Sequence, residues 1–268
     1  MVELDFKNRK PLGLLSGFIM IAKIEMIALI NNLQIIYNEL LTPVLSFLFL
    51  SLTLGKLIGD VNIKGESITY INYTFIGIIA RLTFSQMYTT VYRVVVDRKY
   101  NLLSYKYYMG ISPISYVLGM SIMPIAIFLL QSIVLYLIGL IFNVTIGLYS
   151  FVKLILFAFI CQIFWCGLGI CISLMTKDYK TRDLILNILL IPLSYAAPIF
   201  YVLESVPKAI QVISMLNPLT YQLDAMRSIF VDRLNTKTLL PCILIIILVI
   251  LLSTHLLKRI EFKSKERK

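Results

Sequence analysis

Few residues in this chain could do covalent chemistry. Among 268 residues there are one histidine and four cysteines. Cys161, Cys166 and Cys171 recur every five residues, a spacing that walks around a helix, and Cys242 stands apart. No pair has metal-ligand or redox spacing, so the thiols read as small apolar filler. His255 stands alone at the end of an apolar run and reads as an interfacial side chain. Gly55-Lys56 is followed by Leu57 and lacks the first glycine of a phosphate-binding loop. No acid pair or histidine cluster lies inside an apolar run, as an intramembrane hydrolase or metalloenzyme needs. The chain therefore reads as a non-enzyme without a metal or cofactor of its own. Any uphill work must draw on a partner or an ion gradient.

The residues left for recognition and motion fall in three places. Arg81 lies about eleven residues into an apolar run. A charge at that depth costs several kcal/mol unless it is paired or faces water. It either lines a pathway or snorkels to an interface. Asp97-Arg98-Lys99-Tyr100-Asn101-Leu102-Leu103 leads into Tyr105-Lys106-Tyr107-Tyr108 and stops at Gly110 and Pro113. A short surface helix there would present apolar and aromatic residues on one side, either to a partner groove or to lipid headgroups. The third place is punctuated by proline: Pro198-Ile199-Phe200-Tyr201, then Val206-Pro207, Asn217-Pro218-Leu219-Thr220-Tyr221 and Asp224-Ala225-Met226-Arg227. Proline removes a backbone donor and breaks helices. At membrane depth such breaks survive only where protein or a water-filled cavity satisfies the freed groups.

The elements that must carry these residues are apolar helices. Hydrophobic residues make up 59% of the chain and charged ones 15%. Runs near 20 residues match a hydrocarbon layer of about 30 Å. We expect an all-α integral membrane protein, one domain over 1–268, with six spans near Ile36–Leu54, Tyr70–Tyr92, Ile114–Phe142, Phe151–Met175, Leu184–Phe200 and Leu239–Leu257. A broken helical hairpin would precede the last span. Leu12–Ile30 is ambiguous because it carries Lys23 and Glu25. Ser16, Lys23 and Gln34 share one helical face, while Glu25 and Asn32 make a second polar stripe. The reading favours an amphipathic helix along the cytoplasmic interface over a seventh span or a cleaved signal. With both termini inside, inner segments hold seventeen basic residues and outer ones seven, leaving Arg81 within a span. That bias follows the positive-inside rule, so the net charge of +11 reports membrane sidedness and not nucleic-acid binding.

Taken as a whole, the chain resembles the permease subunits of ABC-2 type transporters, which include drug, polysaccharide and Nod-factor exporters. The resemblance covers nearly the whole length. It rests on an N-terminal amphipathic segment, Pro43 in the first span, Gly77 in the second, Ser112-Pro113 before the third, and Pro192-Leu193-Ser194-Tyr195-Ala196-Ala197-Pro198 with the Asn217 to Arg227 block. The family often has Glu-Arg-Glu and a glycine where this chain has Asp97-Arg98-Lys99-Tyr100-Asn101. The resemblance implies two permeases, identical or not, in the cell membrane with two cytoplasmic ATPase subunits that bind the ATP. It assigns ATPase coupling to Asp97, Arg98, Lys99, Tyr100 and Leu103. It assigns the substrate pathway and outer gate to Arg81, Pro198, Tyr201, Asn217, Pro218, Tyr221, Asp224 and Arg227. The Asn-Pro-Leu-Thr-Tyr form looks closer to drug and Nod-factor exporters, which implies an amphipathic or lipid-linked substrate. Polysaccharide or teichoic-acid export, a non-transporting scaffold or immunity protein, and an ion-coupled carrier are the alternatives.

Overall fold

The apolar runs expected to span are largely helical in the computed structural model, which describes residues 11–63, 65–176, 179–232 and 236–266. In chain order, α1 (Leu14–Ile30) is followed by α2 (Leu33–Leu45), a π-helical stretch over Ser46–Ser51 and α3 (Leu52–Ile58). A hairpin of β1 (Asp60–Ile63) and β2 (Glu66–Thr69) leads into the 30-residue α4 (Tyr70–Lys99). Short α5 (Leu102–Tyr108) precedes α6 (Pro113–Met120) and α7 (Ile122–Ile141), which run on from one another, and then α8 (Leu148–Met175). The next helical segment comprises α9 (Tyr179–Leu184), a second π-helical stretch over Ile185–Leu190 and α10 (Ile191–Ala196). Two short helices, α11 (Lys208–Met215) and α12 (Pro218–Phe230), precede the terminal α13 (Thr236–Glu266). In the charge tally, Lys7, Arg9, Lys10, Lys64, Lys177, Arg233, Arg267 and Lys268 lie outside the described residues.

Among the described residues, four helical segments are long and apolar enough to cross a membrane: Leu33–Ile58, Pro113–Ile141, Leu148–Met175 and Cys242–Arg259. Two expected spans fall outside that group, α4 and the segment from Tyr179 to Ala196. For α4 the physical reason is position. It sits at the centre of the bundle, packed on α7, α8 and α12. A helix surrounded by helices need not offer lipid an apolar face, so it can carry Asn72, Thr74, Thr83, Gln86 and Thr90, all buried. The fifth expected span also ends early. Its helix stops at Ala196, and Ala197 turns extended with φ −71° and ψ 140°.

Packing here depends on close backbone approach, because lipid removes the hydrophobic drive between helices. Two glycines make that approach possible. A Cβ on Gly169 of α8 would stand 3.0 Å from the Met87 carbonyl oxygen of α4. One on Gly77 of α4 would stand 2.9 Å from Ile199 Cγ2 and 3.0 Å from its carbonyl oxygen. Around these contacts Phe84 packs edge-on against Trp165 with ring centroids 4.7 Å apart. Trp165 Nε1 donates to Gln222 Oε1 of α12 at 2.7 Å.

Two local features depart from the expectations. The β-hairpin, with Val61 opposite Ile68 and Asn62 opposite Ser67, was not foreseen. Its turn is helped by Gly65, whose φ is +87° and whose N–H donates to Asn62 Oδ1 at 2.9 Å. On α1, the second polar stripe does not form: Asn32 is exposed, but Glu25 is wholly buried, in line with buried Gly17, Ile21 and Leu29. Ser16, Lys23 and Gln34 are exposed. The buried face of α1 lies against α6 and α7.

Candidate functional site

At the end of the bundle where α4 begins, the chain between α10 and α11 leaves the α-helix, with one 3-10 turn over Leu203–Ser205, and carbonyls in and before it are held by side chains. Helix ends leave carbonyls without partners. Here the Leu193 carbonyl accepts from Asn217 Nδ2 at 2.7 Å and the Ala196 carbonyl from Tyr201 Oη at 2.6 Å. Tyr70 Oη donates to the Phe200 carbonyl at 2.7 Å. Tyr73 Oη donates to the Tyr201 carbonyl at 2.7 Å, with that of Pro198 3.3 Å away. Arg227 Nη2 donates to the same Pro198 carbonyl at 2.8 Å, and its guanidinium lies 3.5 Å from the centroid of the Tyr73 ring. Arg227 is 6% exposed, and its Nε has no hydrogen-bond partner.

Pro198, Tyr221, Asp224 and Arg227 line one cavity of about 510 Å³ together with Tyr73, Glu204 and Asn62 of the hairpin. The remaining residues of that expected group do other work. Asn217 caps α12 by accepting from the Leu219 N–H at 3.0 Å, and Pro218 follows at the first helical position, where a missing donor costs nothing. Tyr201 ties back to the end of α10.

Arg81 is elsewhere. Along α4 from Asn72 to Val91, every residue is buried except Arg81, Ser85 and Tyr88, and the same stripe continues in exposed Tyr92. All four are polar or aromatic. Arg81, Ser85 and Tyr88 line a second cavity, of about 210 Å³, with Glu39, Thr42, Pro43 and Gln131. Arg81 leans on Tyr195 of α10, 4.9 Å from the ring centroid and 3.5 Å from its hydroxyl. Pro43 places Glu39 in the opposite wall. Having no N–H, it cannot bond the carbonyl of residue 39 four positions back. That carbonyl accepts instead from Gln131 Nε2 of α7 at 2.7 Å. Gln131 in turn accepts from Gln86 of α4 at 3.0 Å, and both amides reach the Glu39 carboxylate at 3.4 Å. Glu39 falls near the start of the first expected span, Ile36–Leu54. What could have flagged it is a carboxylate four residues before a proline.

At the far end of α4 the expected loop is shorter than its sequence suggested. Asp97, Arg98 and Lys99 form the last helical turn, and the chain turns at Asn101, whose φ is +57°. Asp97 is buried. Lys106 Nζ donates to it at 2.5 Å and Tyr116 Oη at 2.8 Å. Leu103 is buried too, against Val94, Tyr107 and Ile111. Arg98 reaches across to the carbonyls of Ser173 and Thr176 at the end of α8, and burial lowers its guanidinium from the ordinary value. Of the five residues expected to couple to a partner, only Lys99 and Tyr100 are exposed. Exposed Leu102, Tyr105 and Tyr108 of α5 join them, while Leu103, Lys106 and Tyr107 face inward. Asp97, Arg98 and Leu103 therefore position this elbow and leave its outer surface to others. Alongside it, Arg93 holds Glu25 of α1 in a two-pronged ion pair at 2.8 and 2.9 Å.

The family model described as ABC-2 type transporter matches residues 16–231. No curated protein matches the chain.

Proposed function

The chain belongs to the ABC-2 type transporter family, and on that premise we propose that it is the permease of an ATP-driven exporter moving an amphipathic, drug-like or lipid-linked substrate out of the cytoplasm. It sits in the cell membrane with both termini inside, as one of a pair of permeases on two cytoplasmic ATPase subunits. The observation that carries the reading is the stripe on α4. Between Asn72 and Tyr92 the central helix is buried except along Arg81, Ser85, Tyr88 and Tyr92. Polar groups facing away from a helix's own bundle at membrane depth call for water, a substrate or a second subunit. The stripe ends at Tyr92, whose ring centroid lies 3.9 Å from the Arg182 guanidinium, and the exposed Leu102, Tyr105 and Tyr108 of α5, which follows α4, are where an ATPase would dock. At the other end Pro198 and Tyr201 with Asn217, Pro218, Tyr221, Asp224 and Arg227 serve as the outer gate, in which the chain after α10 is a lid whose carbonyls are held by α4 and α12. The mixture of aromatic and polar side chains along the stripe supports an amphipathic cargo.

Purification of the tagged chain from mild detergent tests the partner. A stoichiometric ATPase with a phosphate loop is expected. Recovery of the permease alone across detergents, also after vanadate trapping, would overturn the exporter reading in favour of a scaffold or an ion-driven carrier.

A further inference from the structure

The smaller cavity holds two opposite charges that do not pair with each other. Glu39 and Arg81 both line it, yet neither forms an ion pair among the described residues. Glu39 is held only by two amide hydrogen bonds of 3.4 Å, and Arg81 only by Tyr195. Uncompensated charges inside a span are expensive and mark ligand or ion sites by default. The pair is also deliberately mounted. Gln131, 1% exposed, is fixed by the carbonyl that Pro43 frees, and Gln86, fully buried, is fixed by Gln131. The rest of the wall is Thr42, Ser46 and Ser85 with Pro43, Ile78, Leu82 and Tyr88. The volume of about 210 Å³ is below the roughly 300–1,000 Å³ of pockets that enclose whole drug-sized ligands. It suits a polar head whose apolar tail stays outside.

We infer that this cavity is a headgroup subsite for zwitterionic amphiphiles, taking an ammonium at Glu39 and an anionic group at Arg81. The inference rests on the export reading for its biological role and names the substrate class of that pathway. Recognition itself needs only the permease.

The test uses the full-length permease in non-ionic maltoside detergent, without ATPase. The probes are three fluorescent dodecyl chains. One ends in an α-amino acid head, one in a primary ammonium alone and one in a carboxylate alone. The zwitterion should bind at least about tenfold more tightly than either single charge. Glu39→Gln should remove that advantage over the carboxylate probe and leave carboxylate binding unchanged. Arg81→Gln should do the reverse, and Arg81→Lys should retain most of the zwitterion preference. Melting temperatures of the variants separate lost binding from lost folding. Where Glu39→Gln or Arg81→Gln melts early, Glu39→Leu or Arg81→Met, which also removes the charge, serves the same comparison. Equal affinity for all three probes overturns the inference. So does a preference that neither substitution moves, or a change confined to permease dimerisation, which would mean that the charges meet a second copy. If no ATPase accompanies the permease but the charge-specific binding holds, the export reading fails and the subsite stands.

Discussion

Arg227 shows how much one side chain can hold. It is buried, stacked on Tyr73 and bonded to the carbonyl of Pro198, so its removal frees a lid carbonyl and an aromatic face together. Arg227→Ala should cost about 2–4 kcal/mol, from a lost charge-assisted hydrogen bond and a desolvated cation–π contact. Export should fall while ATPase co-purification is kept, and Arg227→Lys should not restore it because the planar fork is what stacks. Loss of complex assembly would instead remove the gate assignment. Gly77→Val should be as harmful, since even a Cβ meets the Ile199 backbone at 3.0 Å; wild-type thermal stability in that variant would contradict the contact. Legibility at this scale followed chemistry that is local in sequence. Asn217-Pro218 reads as a cap and a first helical residue from the two letters alone. Glu39 could not be read that way, because its partners Gln86 and Gln131 are brought to it by packing.

Among the elements, α1 and α5 are each tied to α4 by an ion pair, Glu25–Arg93 and Lys106–Asp97. The Glu25–Arg93 pair joins α1 to α4, with the carboxylate fully buried and the guanidinium side chain 27% exposed. Breaking such a pair from one side costs about 3–5 kcal/mol when both charges are buried, and the partial exposure of Arg93 puts this one near the low end. Glu25→Gln should therefore lower the melting temperature in detergent more than the double change with Arg93→Gln does; a double loss equal to the sum of the two single losses would show that the two residues act independently. On α5, Leu102→Asp with Tyr105→Asp should separate ATP hydrolysis from transport without lowering the melting point, since both side chains face outward. Unchanged coupling would exclude this surface as the dock. The helices were legible because long apolar runs admit little else. The hairpin at 60–69 was not, because four-residue strands lie below the length at which alternation stands out. The last turn of α4 was also hidden: Asp97 looks like a loop residue until Lys106 and Tyr116 are seen to neutralise it.

At the scale of the molecule, a topology reporter fused after Ile35 should signal cytoplasm; an external signal would make α1 a span and remove the six-span arrangement. The bundle is organised around one rod. At about 1.5 Å per residue, the 30 residues of α4 extend roughly 45 Å. One end carries the ion pair to α1 and the elbow, and the other carries the tyrosines that grip the lid. Between them, Met87 meets Gly169 of α8 at a distance that leaves no room for a side chain. On the export reading proposed above, that contact is where the rod would pivot. A rigid rod rocked about a fixed point moves its two ends in opposite directions, so an inward push at the elbow and an outward swing at the lid are a single displacement. The two ends of such a machine need no messenger between them to stay out of phase.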